Sequence, residues 1–113
     1  MENTPSKYFL RYEDYSGPVE EKAYKATLAY SENMLVGITR LGPGQSQPVH
    51  IHVGEDKVYI VLAGCGYFQV GNEYRNVEKD TMVWAPAALP HSVINNSPED
   101  LVLLFVISPS PAQ

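Results

Sequence analysis

The chain has 113 residues, of which 44% are hydrophobic and 19% charged, a composition typical of one globular domain. Its single cysteine, Cys65, excludes an internal disulfide and a CxxC metal or redox site. The net charge of −5, without any basic cluster, argues against binding to a phosphate backbone, so we expect no nucleic-acid partner. The start lacks the features of a secretory signal, and the longest apolar run, residues 101–107, is too short to cross a bilayer. We therefore expect a cytoplasmic protein without a membrane partner.

The predicted elements follow one another as short strands. Residues 1–19 are predicted to form an N-terminal arm, and the alternation from Tyr24 onward favours a strand after the helix-like residues 20–23. Later runs are rich in β-branched and aromatic residues and are separated by turns that contain Gly or Pro. These runs span residues 34–41, 48–53, 57–63, 67–70, 81–85, 91–95 and 101–108. The pattern predicts a single small all-β barrel over residues 20–108, with a tail at residues 109–113.

The last predicted strand is apolar at every position from 101 to 107. A strand with this pattern buries both faces, so one face fills the barrel and the other needs a cover. In a chain of this size a second copy is the predicted cover, which makes the protein a homodimer that packs through its sheets. The alternative is that the N-terminal arm folds back over the same face.

The candidate chemistry lies in the three histidines of the chain. His50 and His52 are two positions apart, and a strand directs such side chains to the same side. Two neutral imidazoles on one face form half of a site for a divalent transition metal. His91 follows a turn bounded by Pro86 and Pro90 and begins a predicted strand.

The spacing of these residues resembles the two sequence motifs of the cupin superfamily. The matching residues are Gly44, His50, His52 and Gly64 in the first motif, and Pro86, His91 and Asn95 in the second. The resemblance covers residues 34–108. It implies a double-stranded β-helix, or jelly-roll barrel, whose motif residues point into a metal pocket. It also implies that His50, His52 and His91 are the three histidine ligands.

One motif position departs from the family in a way that changes the chemistry. Lys57 occupies the position of the family's glutamate ligand, and two motif glycines are replaced by Asp80 and Ala88. An ammonium beside a dication is repelled by several kcal/mol at an effective dielectric near ~20. Three outcomes stay open: Lys57 turns away or loses its proton, Asp56 or Glu55 becomes the carboxylate ligand, or the metal is absent.

A three-histidine site leaves coordination positions open for a substrate, which suits dioxygenase-like or isomerase- and lyase-like chemistry with Fe, Mn, Ni or Zn. The expected partner is a small neutral or singly charged organic molecule, because no arginine cluster falls in the pocket segments. Lys57 and Tyr59 share a face of their predicted strand and are the candidate catalytic residues for proton transfer. The alternatives are a binding module without metal, and a dimeric scaffold.

Overall fold

The computed structural model describes residues 5–111, so the first four residues of the predicted arm and the last two of the predicted tail lie outside the described residues. The described chain forms nine β-strands after a short 3₁₀ helix (Tyr12–Tyr15). The strands are β1 (Tyr24–Tyr30), β2 (Leu35–Leu41), β3 (Ser46–His50), β4 (Asp56–Ala63), β5 (Cys65–Val70), β6 (Glu73–Glu78), β7 (Met82–Ala85), β8 (His91–Ile94) and β9 (Leu101–Ser108). The described residues contain no α-helix, and the all-β prediction is confirmed.

The strands form two antiparallel sheets that pack face to face. One sheet has the order β1-β2-β9-β4-β7 and the other the order β3-β8-β5-β6. The apolar core lies between them, as expected when alternate residues of each strand point to one face. The core residues are Leu41, Tyr59, Val61, Phe68, Val77, Val83, Ala85, Val93, Leu101, Leu103, Phe105 and Ile107.

Two strands differ from the sequence prediction. β6 was not predicted, because its residues are mostly polar and only Val77 is buried. β3 begins at Ser46 and ends at His50, whereas a strand over residues 48–53 was predicted. The pairing of β3 with β8 is irregular between Gln47 and His50. Pro48 lies within this irregularity and has no N–H to donate to the ladder.

The motif residues outside the histidines hold the turns that join the two sheets. Gly64 has a φ of +78°, and a Cβ there would overlap the carbonyl oxygen of Asp100, so only glycine fits. Asn95 is fully buried, and its side-chain amide donates to the carbonyls of Leu41 and Glu99 at 2.9 and 2.7 Å. These contacts fix the ends of β2, β8 and β9 relative to one another.

The five-stranded sheet that contains β9, called the β9 sheet below, has an outer face that points away from the core. The described part of the arm covers part of this face. Arg40 donates to the Ser16 hydroxyl at 3.2 Å and to the Asp100 carboxylate at 2.8 Å, which ties the arm to this face. Farther along the same sheet, Met82 and Trp84 on β7 are 57% and 48% exposed. The arm therefore covers only one end of the face. Within residues 5–111 no helix is long and apolar enough to span a membrane.

Candidate metal centre

The three histidines meet at one end of the barrel. His50 is the last residue of β3, His91 is the first residue of β8, and the two are Cα partners in the ladder. His52 lies two residues beyond β3. The ring centroid of His50 is 4.2 Å from that of His91 and 4.8 Å from that of His52, and the His52 and His91 centroids are 5.3 Å apart.

One nitrogen of each ring lies within 4.8 Å of the other two, and the three residues form a group that could hold a metal ion. Two nitrogens bound to one ion at about 2.1 Å each are at most about 4.2 Å apart. The nitrogen atoms that lie farthest apart therefore move slightly closer together if an ion binds.

Each histidine has its Nδ1 atom next to an oxygen acceptor. Nδ1 of His50 lies 2.7 Å from the carbonyl of Pro48, and Nδ1 of His91 lies 3.4 Å from the carbonyl of Leu89. Nδ1 of His52 lies 3.0 Å from the carboxylate of Glu55. Because carbonyl and carboxylate oxygens only accept, each Nδ1 is the donor and the Nε2 lone pair of a neutral ring stays free.

The Nε2 atoms of His52 and His91 are buried and have no hydrogen-bond partner among the described residues. A buried polar atom without a partner is costly, and such atoms are rare unless something else occupies the site. Metal-bound histidines show the same arrangement: a hydrogen bond from one ring nitrogen orients the ring, and the other nitrogen is free to bind the ion. The donor set therefore fits a divalent transition metal.

The electrostatic surroundings keep His91 in the form that binds metals. Burial, followed by the neighbouring His50, lowers the pKa of His91 from 6.5 to about 4. His91 is only 1% exposed. At neutral pH its ring is uncharged, and a neutral imidazole is the ligand form.

The two carboxylates considered as replacement ligands have other partners. Glu55 contacts Nδ1 of His52 and orients that ring. Asp56 accepts a hydrogen bond from the backbone N–H of Ala87 at 2.8 Å and so anchors the turn before His91. Among residues 5–111, the group of potential ligands at this position consists of the three histidines.

Lys57 points into the barrel. It is 7% exposed, and its Nζ lies 4.6 Å from the ring centroid of Tyr59 and 5.0 Å from that of Phe105. These distances are those of cation–π contacts. Burial, and to a lesser degree the charge of Lys25, lowers the pKa of Lys57 from 10.5 to about 8. Of the outcomes left open by the sequence, an outward Lys57 is excluded by this placement.

Tyr59 forms the wall beside the histidines. It is 1% exposed, its ring centroid is 6.2 Å from that of His91, and its hydroxyl donates to Oε1 of Gln47 at 3.2 Å. Burial raises the pKa of Tyr59 well above its usual value. The hydroxyl therefore stays protonated near neutral pH and holds the side chain of Gln47.

A cavity of about 780 Å³ opens beside the histidines. Its walls include Lys22, Lys25, Leu35, Thr39, Gln47, His50, His52, Lys57, Phe105 and Ile107. Four of these lining residues were not predicted from the sequence: Thr39, Gln47 and two lysines, Lys22 before β1 and Lys25 on it. Alternation along β2 could have placed Thr39 inward with Leu41, but the approach of the edge strand β1 to this cavity has no local signal.

Comparison with known proteins settles the family. The sequence model of the Cupin domain family matches residues 37–107, which is more than half of the chain. The chain belongs to the cupin superfamily. This cupin is also 35% identical over 88 residues to auxin-binding protein 4 of Zea mays, a match that covers 69% of the chain but 43% of the maize protein.

Two solved structures show how this cupin folds. The TT1209 protein of Thermus thermophilus is 39% identical, with a TM-score of 0.78, and the match covers 98% of this chain and 100% of that one. A protein of Klebsiella pneumoniae with a double-stranded β-helix domain is 19% identical, with a TM-score of 0.83 and coverage of 93% and 92%. The predicted double-stranded β-helix is thereby confirmed.

Proposed function

We propose that this cupin binds one divalent transition metal through His50, His52 and His91 and binds a small, neutral or singly charged organic molecule in the adjoining cavity. The observation that carries the proposal is the pair of buried Nε2 atoms, on His52 and His91, that have no partner within residues 5–111. The Nδ1 contacts support it, because they leave Nε2 of each ring free, and one nitrogen of each ring lies within 4.8 Å of the others. The name of the maize relative supports a role in ligand binding.

A bound ion would supply Lewis-acid or oxygen-activating chemistry with coordination positions left open for a substrate. The chain supplies the other parts. We assign proton transfer to Lys57, whose pKa of about 8 lets the amine exchange a proton near neutral pH. Gln47 lines the cavity, and its side-chain oxygen accepts a hydrogen bond from the buried hydroxyl of Tyr59. Phe105 and Ile107, the Cα partners of Tyr59 and Lys57 in the β4–β9 ladder, give the cavity apolar surface.

The first prediction concerns metal affinity. In a competition titration of metal-free protein with Zn²⁺ and a chromophoric chelator, we expect one site per chain. His52→Ala and His91→Ala should each weaken binding by at least about a hundredfold. Glu55→Gln should weaken it by about 10- to 100-fold, because the carboxylate orients His52. The matched control Glu73→Gln, at an exposed residue of β6, should bind as the native chain does. Unchanged affinity in both histidine variants would exclude the site.

A second function is favoured by one observation, the ammonium of Lys57 in the place of a family carboxylate. In this alternative the protein is a binding module, and the cavity holds its ligand without turnover or metal. The test is a thermal melting scan of metal-free protein with candidate ligands, since a ligand that binds only the native state raises the melting temperature. A rise that is unaffected by His52→Ala and His91→Ala supports the module. A rise that requires added metal supports the first proposal.

The second prediction concerns self-association. We propose that the exposed end of the β9 sheet, with Met82 and Trp84, packs against a second copy of the chain. Sedimentation analysis should then give twice the mass of one chain. Trp84→Glu should shift the protein to monomer, because a charge would be buried in the interface. Val53→Glu, at a residue that is 87% exposed in a loop, is the control. A monomeric native protein would contradict the prediction.

A further inference from the structure

The cavity beside the histidines has a charge opposite to that of the whole molecule. The chain carries 13 acidic and 8 basic residues, a net charge of −5. Three lysines, Lys22, Lys25 and Lys57, line the cavity, and no aspartate or glutamate of the described chain is among its lining residues. A concave surface with one sign of charge concentrates ligands of the other sign.

The lysine deepest in the cavity lacks a counter-ion. The ion pairs found among residues 5–111 involve arginine or histidine, and none includes Lys57. Lys57 is also without a hydrogen-bond acceptor in the described chain, and its Nζ lies over the aromatic faces of Tyr59 and Phe105. A charge on a side chain that is only 7% exposed is normally paired. An anion bound in the cavity would supply the missing counter-ion.

A second buried group at the same cavity has no partner. Thr39 is 1% exposed, and its Oγ1 has no hydrogen-bond partner among the described residues. Thr39 pairs with Lys25 in the β1–β2 ladder, so a hydroxyl donor and an ammonium lie side by side on the cavity wall. Thr39 on β2 and Lys57 on β4 therefore each bring to the cavity a donor without an acceptor in the described chain.

We infer that this cavity binds the carboxylate of a small organic acid, with the carboxylate on the ammonium of Lys57 and the hydroxyl of Thr39. The apolar walls formed by Leu35, Phe105 and Ile107 take the hydrocarbon part of the acid. The inference deepens the proposed function, and only the orientation of the acid relative to the histidines rests on that proposal. The carboxylate site itself requires no metal.

The walls favour a monocarboxylate over a phosphate. One buried ammonium neutralises one negative charge, whereas a dianion would leave excess charge beside apolar side chains. Bidentate arginine and the N-terminus of a helix, which strengthen many phosphate sites, are both absent from the described cavity lining. Lys22 and Lys25 are exposed at the rim, where they attract the acid but are screened by solvent.

The third prediction tests the inference with propionate as the probe on metal-free protein, measured by calorimetric titration. We expect propionate to bind, and its uncharged counterpart propionamide and inorganic phosphate to bind at least about tenfold more weakly. Lys57→Met should reduce propionate affinity by about tenfold or more, because it removes a buried charge-assisted hydrogen bond. Thr39→Val should reduce it by a few-fold. Lys79→Met, at an exposed lysine far from the cavity, should leave the affinity unchanged.

Equal binding of propionate and propionamide, or propionate binding that survives Lys57→Met in a folded variant, would overturn the inference. Phosphate binding tighter than propionate binding would overturn it as well. The same titration on the His52→Ala and His91→Ala variants separates the two proposals. If the histidine variants lose Zn²⁺ binding but keep propionate binding, the carboxylate site is independent of the metal site. If the native chain binds Zn²⁺ but not propionate, only the metal proposal is supported.

Discussion

Replacing Lys57 with methionine is expected to raise the free energy of unfolding of the metal-free protein by about 3 kcal/mol at pH 7. Burial, assisted by the charge of Lys25, lowers the pKa of Lys57 from 10.5 to about 8, so the folded state holds the proton more weakly than the unfolded state. Below pH 8 the charged form must be buried, and this costs stability. Methionine has a similar length and avoids the cost.

The sign of the pH dependence follows from proton counting. Between about pH 8 and pH 10.5 the unfolded chain binds more protons at this residue than the folded chain does. Stability of the native protein therefore rises with pH across this window. The advantage of Lys57→Met should be complete below about pH 8 and should decline as the pH approaches 10.5.

Urea unfolding of the native protein and of Lys57→Met over this pH range measures the difference in their stability directly. Titratable groups that both proteins share contribute equally and cancel in this difference. Lys79→Met, at an exposed lysine, should differ from the native protein by less than about 0.5 kcal/mol at every pH. A Lys57→Met variant that is less stable than the native chain at pH 7, or an advantage that does not change with pH, would show that Lys57 is not a buried charge.

Lys57→Glu is expected to tighten Zn²⁺ binding by about a hundredfold or more. The ammonium of Lys57, whose charge also lowers the pKa of His91, repels a dication at the histidines, and with a pKa of about 8 the removal of its proton costs about 1.4 kcal/mol at pH 7. A carboxylate at the same position removes this cost. It also adds an oxygen ligand and reduces the net charge of the site.

Three further variants, measured in the same chelator competition, separate the causes of this gain in Zn²⁺ affinity. Lys57→Met removes the repulsion alone and should give a smaller gain than Lys57→Glu. Lys79→Glu reports the effect of a distant surface charge and should give almost none. Asp56→Ala should leave affinity unchanged, because Asp56 binds the N–H of Ala87. Loss of Zn²⁺ in the Asp56 variant, with no gain in Lys57→Glu, would mean that Asp56 is the true ligand.

The positions of most strands along the chain were predictable from the sequence, because the alternation of residues within a strand and the turns between strands are local features. The inward direction of Lys57 and Tyr59 followed from the same alternation, and both are buried. β6 escaped prediction because it is a polar strand with only Val77 buried, so its pairing with β5 decides its structure. The shifted end of β3 reflects the missing donor at Pro48, within a pairing irregularity that single-strand patterns do not show.

The candidate site was predictable only in part. The spacing of His50, His52 and His91 indicated a metal group, and the structure brings their rings together. The role of Glu55 as the partner of His52 Nδ1 depends on a loop conformation that no spacing rule fixes. The approach of Lys25 to the cavity depends on the pairing of β1 with β2. Such contacts come from tertiary structure, and local sequence patterns do not fix them.

The central claim, that three histidines hold one ion, is tested most directly by X-ray absorption of protein loaded with one equivalent of Zn²⁺. We predict a nearest shell of nitrogen and oxygen at about 2.0–2.2 Å and outer-shell scattering from three imidazoles per ion. The double variant with His52→Ala and His91→Ala should lose this imidazole signal. A spectrum with one imidazole or none in the native protein, or the same spectrum in the double variant, would contradict the account.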